Sequence, residues 1–115
     1  MTTPYARGYA FELKVRSYLE NLGYAVFRVG GSHSPADLIA LGSGMTWLIQ
    51  CQRSKYFSKD KKTALQDLAV SHSVGFVFAW NVDGRKRGNS GIAWSDVTII
   101  NSAPGNSRAE ALRGK

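Results

Sequence analysis

Four side chains in the first half of the chain have the types and spacing to work on a phosphodiester: Glu12, Asp37, Gln50 and Gln52. Metal-dependent cleavage of that bond needs oxygen ligands that hold Mg²⁺ or Mn²⁺ against a phosphate oxygen, and a group that activates or orients the attacking water. Glu12 and Asp37 supply carboxylates. Gln50 and Gln52 are two apart in an apolar run, so both project from one face of a strand while Trp47, Ile49 and Cys51 take the other. The Gln50 side chain keeps a carbonyl oxygen that a hard cation accepts, though without charge. The Gln52 amide can orient water but neither carries charge to a phosphate nor takes a proton. Nearby stand Ser32 and His33 in a glycine-containing segment, and Lys55 three residues beyond Gln52.

These residues must be positioned by ordinary elements. Phe11, Val15, Tyr18, Leu19 and Leu22 fall at the spacing of one helical face, so residues 5–22 are predicted as an amphipathic helix with Glu12 on its flank and Gly23 as its stop. Residues 24–29 read as a strand ending near Arg28, and a loop follows over 30–35. Two further strands, 36–41 and 45–52, are joined by Gly42-Ser43-Gly44, a connection suited to a hairpin; Asp37 opens the first and the Gln pair ends the second. Ser58 is a good N-cap for a second helix packing through Ala64, Leu65, Leu68, Ala69 and His72. Residues 75–80 form a short apolar strand of the kind buried on both faces, and a last strand is expected over 96–101. The predicted order is α-β-β-β-α-β with one further strand, in a single domain over residues 1–101 followed by a basic tail over 102–115.

Composition narrows the partner. The chain has 115 residues, 15 Lys and Arg against 8 Asp and Glu, a formal net charge of +7 and a sequence pI near 9.9, a field that draws polyanions. The charge is clustered. Arg53, Lys55, Lys59, Lys61 and Lys62 follow the Gln pair, and Arg85, Lys86 and Arg87 crown a glycine-rich loop over 83–91, which suits phosphate contacts around a scissile bond; Arg7 and Arg28 are expected among the same DNA contacts. One cysteine forms no internal disulfide and no zinc site alone, and no apolar run has a membrane helix's length, so a reducing, cytoplasmic setting is expected. Each signal has a plainer reading. Glu12 could pair with Arg16 at i,i+4, Asp37 could be a turn residue after Pro35, the Gln pair an exposed strand face, His33 a loop residue and Cys51 a small core residue.

Taken together the motifs resemble a known family. Arg7-Gly8 and Glu12 in a first helix, Gly23-Tyr24 before a strand carrying Arg28, a glycine-serine loop, Pro35-x-Asp37 and a strand ending in Gln50-x-Gln52 look like the archaeal-type Holliday junction resolvases of the PD-(D/E)xK nuclease superfamily, over residues 7–80. The resemblance implies an α/β, restriction-endonuclease-like core with a central mixed β-sheet flanked by helices. It also implies a Mg²⁺- or Mn²⁺-dependent, homodimeric endodeoxyribonuclease that nicks four-way DNA junctions, encoded by a prokaryote or phage. By the same resemblance Glu12, Asp37, Gln50 and the Cys51 backbone carbonyl hold the metal, and Ser32 and His33 contact the DNA backbone at the cut. The chain departs from the pattern in three places: an extra residue between Pro35 and Asp37, Gln50 where the family has its second acidic ligand, and Gln52 where it has lysine. Lys55 or His33 is then left to take the lysine's part. Two rival readings share the fold: a catalytically silent DNA-binding module that lost the lysine, and a mismatch-repair or restriction-type nuclease.

Overall fold

The computed structural model describes residues 4–29, 34–52, 55, 56, 58–82 and 91–104. The first helix, α1 (Pro4–Asn21), buries Phe11, Val15 and Leu19 at the predicted spacing, with Tyr18 and Leu22 packed beside them. Gly23 ends it at φ 104°, where its N–H donates to the Glu20 carbonyl and the Tyr24 N–H to the Leu19 carbonyl. That paired closure needs a residue in the left-handed region, which glycine enters without a Cβ clash. Strand β1 (Ala25–Arg28) follows, then β2 (Leu38–Gly42) and β3 (Met45–Gln52). Ser43 and Gly44 both have positive φ, 52° and 77°, the backbone of a two-residue type I′ hairpin whose twist matches its strands.

Helix α2 (Lys59–Ser71) starts where Ser58 predicts, with the Ser58 hydroxyl accepting the Lys61 N–H at 3.1 Å. It returns the chain to β4 (Gly75–Asn81), which pairs parallel to β3; β5 (Ile92–Trp94) then pairs antiparallel to β4. The result is a mixed five-stranded sheet in the order β1-β2-β3-β4-β5, antiparallel except at the β3/β4 pair. A parallel pair needs a crossover, so α2 runs antiparallel to both strands and begins over the end of β3 that carries Gln50 and Gln52. Each sheet face has its own core. Val15 and Leu19 of α1 pack with Leu38, Trp47, Ile49, Val77 and Ala79, while Leu65 and Ala69 of α2 pack with Leu48 and Phe78 on the other face.

Three expectations need correction. The expected strand over 96–101 is instead a short helix, α3 (Thr98–Asn101). The β-branched run 97–100 reads as a strand, but the Asp96 carboxylate accepts the Thr98 N–H at 2.9 Å, a local turn that opens a helix and lets Ile99 and Ala103 bury together. Hydrogen bonds from the Thr98 hydroxyl and the Thr98 N–H hold the Asp96 carboxyl below the usual carboxylate range. Ala103, assigned by sequence to the tail, is fully buried, so packing continues past residue 101. Ala64 and His72 are exposed; the His72 ring bonds the Leu68 carbonyl at the end of α2 and adds nothing to the core. Among the described residues no helix is long and apolar enough to cross a membrane.

The Tyr24 hydroxyl donates to the Ile99 carbonyl and ties the start of β1 to α3. Tyr24→Phe leaves that carbonyl buried without its donor, and is expected to cost about 1–3 kcal/mol in urea denaturation. Amide exchange should accelerate most at residues 98–103; a loss spread evenly over the sheet would mean that the bond does not anchor α3.

Candidate active site

Asp37 stands one residue before β2 and is joined to β3 twice. Its N–H donates to the Ile49 carbonyl at 2.7 Å, and its Oδ2 accepts the Cys51 N–H at 2.9 Å. The carboxylate therefore takes the ladder position that a backbone carbonyl would fill had β2 begun earlier, which fixes it in place. Its own carbonyl accepts the Val29 N–H at 2.9 Å, so Asp37 also links β1 to this end of the sheet. Burial, followed by the nearby charge of Glu12, raises the Asp37 carboxyl; the Cys51 N–H, Lys61 and Arg28 act in the opposite direction and do not cancel it.

Glu12 reaches this end of the sheet from α1. Its partner is not Arg16, which pairs with Glu20 at 3.3 Å, but Arg28 at the end of β1, whose Nε donates to Glu12 Oε2 at 2.9 Å. The Arg28 guanidinium also lies over the Tyr9 ring, 4.7 Å from its centroid. Arg28, expected among the DNA contacts, thus orients Glu12. The Cys51 side chain is half-buried on the α1 side of the sheet, where burial and the charges of Asp37 and Glu12 push the thiol far up. It stays protonated near neutrality, so any ligand from this residue is the backbone carbonyl and not a thiolate.

Gln50 and Gln52 alternate with Cys51 and share the face of Leu48, which packs against α2. Both are half-buried, and the Gln52 Nε2 is enclosed with no hydrogen-bond partner among the described residues. Strand alternation thus divides the expected set: Glu12 and the Cys51 side chain approach from the α1 side, the two glutamines face the α2 side, and Asp37 sits where the faces meet. Lys55 is exposed, with its ammonium 5.4 Å from the Tyr56 ring centroid. Lys59, Lys61 and Lys62 are exposed on the first turn of α2. The sequence groups Lys61 with the DNA contacts, and the structure brings its charge to bear on Asp37. The signal for that placement was available, because Lys61 lies four and eight residues before Leu65 and Ala69, on the helix face turned to the sheet. Ser32, His33, Arg53, Arg85, Lys86, Arg87 and the Arg7 side chain lie outside the described residues.

An α/β nuclease-like domain is what this sheet, its two flanking helices and the carboxylates at the opening of β2 define. The chain belongs to the archaeal Holliday junction resolvase (Hjc) family, whose model matches residues 3–78. Among solved structures it is similar to Archaeoglobus fulgidus Hjc, a Holliday junction resolvase from an archaeal hyperthermophile, with a TM-score of 0.57 and 23% sequence identity. That similarity covers 65% of this chain and 64% of that one, and at this identity it is a likeness of fold. No curated protein matches the chain.

The raised Asp37 carboxyl has a measurable consequence. A folded-state value above the ordinary 3.8 means that ionising Asp37 opposes folding, so its relative contribution is most favourable below 3.8 and is lost as pH rises through the raised value. In metal-free buffer, Asp37→Asn is therefore expected to gain stability relative to the natural chain as pH increases through that window, read as a growing difference in urea midpoint. A difference that stays flat with pH would mean that the carboxyl titrates normally.

Proposed function

We propose that this domain is a metal-dependent, structure-selective DNA endonuclease that nicks four-way junctions as a two-fold homodimer. The observation that carries the reading is the pinned Asp37 carboxylate, desolvated and facing the charge of Glu12 at the mouth of the sheet. Two acidic groups coupled in this way favour a divalent cation, which relieves both the burial and the repulsion. The donor set fits such an ion. Asp37 retains Oδ1 beyond its bond to Cys51, Glu12 is held by Arg28, and neutral oxygens are available on the Gln50 side chain and the Cys51 backbone. Among the described residues no three His, Cys, Asp or Glu side chains cluster, so the amide and carbonyl oxygens are needed to complete the set. Glu12, Asp37, Gln50 and the Cys51 carbonyl would hold Mg²⁺ or Mn²⁺, which would polarise a phosphoryl oxygen and activate water.

The protein's own part is positioning. The ladder bonds of Asp37 restrain its carboxylate, Arg28 restrains Glu12, and the enclosed Gln52 amide can donate to water or to a phosphate oxygen. The basic residues clustered on and before α2 supply phosphate contacts on branched DNA. Neutral residues at both 50 and 52 favour one rival, a silent module that binds junctions without cutting them.

A nicking assay on a labelled four-way junction with Mg²⁺ or Mn²⁺, beside a matched duplex, separates the two. The natural chain is expected to nick the junction, and Asp37→Asn to lower the rate about a thousandfold or more with binding retained, because the loss of a metal ligand removes several kcal/mol of transition-state stabilisation. Binding without nicking in either protein establishes the silent module.

The homodimer is expected because symmetric resolution needs two like sites facing two strands. On the α2 side of the sheet, β1 and β2 expose Phe27 (56%) and Leu41 (41%), an apolar surface available to a second copy. Sedimentation at micromolar concentration should give a dimer that Phe27→Glu weakens; a monomer with and without DNA rules out paired cutting by this assembly.

A further inference from the structure

The strand position at which the family carries its lysine holds Gln52 here, and the geometry points to Lys61 of α2 as the ammonium that contacts the scissile phosphate in its place. The inference rests on the proposed nuclease activity and names one more group of that same site. Three observations place the side chain. First, the crossover sets the start of α2 over the end of β3 that bears Gln50 and Gln52, on the face to which both project. Second, Lys61 shares the sheet-facing side of α2 with the fully buried Leu65 and Ala69, one and two turns further on, so it emerges at the rim where that side leaves the core. Third, the side chain is exposed, so its ammonium is open to a ligand at that rim. Arg28, the cation that β1 brings to this end of the sheet, is engaged with Glu12 and Tyr9, whereas Lys61 makes no ion pair among the described residues.

Two features mark this rim as a place for an anion. Lysines 59, 61 and 62 occupy the first turn of α2, where cations oppose the helix dipole, a local conflict of the kind retained at functional sites. The Gln52 Nε2 on the same strand face is an enclosed donor without an acceptor among the described residues, and a phosphate oxygen supplies one. Lys55 has no comparable position, since it stacks over Tyr56.

The chemistry assigned to Lys61 is electrostatic. In phosphodiester hydrolysis the water oxygen bonds to phosphorus as one bridging P–O bond breaks; the water proton passes to solvent and the leaving alkoxide takes up a proton to become a hydroxyl. Negative charge builds on the non-bridging oxygens meanwhile. The Lys61 ammonium donates to one of them and the Gln52 amide to an acceptor beside it, dividing between two side chains what one lysine does elsewhere in the family.

The test measures single-turnover nicking of a four-way junction in Mn²⁺ together with junction affinity by fluorescence anisotropy in EDTA. Lys61→Met is expected to slow nicking about 10²- to 10⁴-fold, the range of one positioned charge or proton donor, while the dissociation constant changes less than about tenfold. Lys61→Arg should recover part of the rate, and Gln52→Lys added to Lys61→Met should recover most of it by returning the ammonium from the strand. Lys14→Met, on the exposed side of α1, controls for charge alone, and circular dichroism checks that each variant is folded. Lys61→Met nicking at the natural rate overturns the inference, as does a loss of affinity that matches the loss of rate, which would make Lys61 an ordinary backbone anchor. If the natural chain nicks, Asp37→Asn does not, and Lys61→Met is unimpaired, this inference fails alone. If the natural chain binds junctions and never nicks them, the proposed function fails with it.

Discussion

One carboxylate is built into the hydrogen-bond ladder of the sheet, and the arrangement of the site follows from that. Asp37 uses its N–H and its Oδ2 to engage β3 at Ile49 and Cys51, and its carbonyl to engage Val29. A side chain held by regular sheet geometry is more restrained than one carried on a loop, which is what a reacting group needs. The position has a cost. A carboxylate at this depth loses hydration that one backbone N–H does not replace, and Glu12 adds repulsion, so the metal-free domain carries a carboxyl with a raised value. The sheet resists relaxing that strain because moving Asp37 would break pairing in two directions.

Strand alternation partitions everything else. β3 is covered on both faces, so consecutive residues at its end belong to different neighbourhoods: Cys51 looks toward α1 and its acidic partners, while Gln50 and Gln52 look toward α2 and its lysines. In the candidate site, Glu12 of α1 and the lysines of α2 therefore come from different helices and converge on the strand end where Asp37 stands. The same partition accounts for the neutral Cys51 thiol, which faces two carboxylates and a dry interior.

Much of this was legible in the sequence. The period of Phe11, Val15 and Leu19, the cap at Ser58, the Ser43-Gly44 turn and the alternation along 47–52 each express one local rule, and local rules gave the elements and the strand faces, while the family resemblance singled out the candidates Glu12 and Asp37. What was not legible depends on how elements rotate against one another. Glu12 has a plausible partner four residues away in Arg16, yet the fold supplies Arg28 from another element. Lys61 is one lysine of a cluster until the crossover sets α2 over the end of β3. The error at 96–101 has a different origin. Four β-branched residues, Val97 to Ile100, signal a strand, but a single Asp side chain bonding the nearby backbone, together with a buried place for Ile99, outweighs that preference.

The parallel pairing of β3 with β4 has a consequence during synthesis. The three-strand meander through Gln52 is made of contacts close in sequence and carries Asp37 and Arg28, and α1 with Glu12 precedes it, so the acidic half of the candidate site can assemble as soon as those residues leave the ribosome. β3 then waits with one edge unpaired and an apolar run, Trp47 to Ile49, until residues 75–81 emerge and α2 folds back over the sheet. In that interval the nascent chain presents the kind of open edge on which strands of other molecules pair. The lysines of α2 are translated just behind this edge, and charge so placed opposes pairing of that kind.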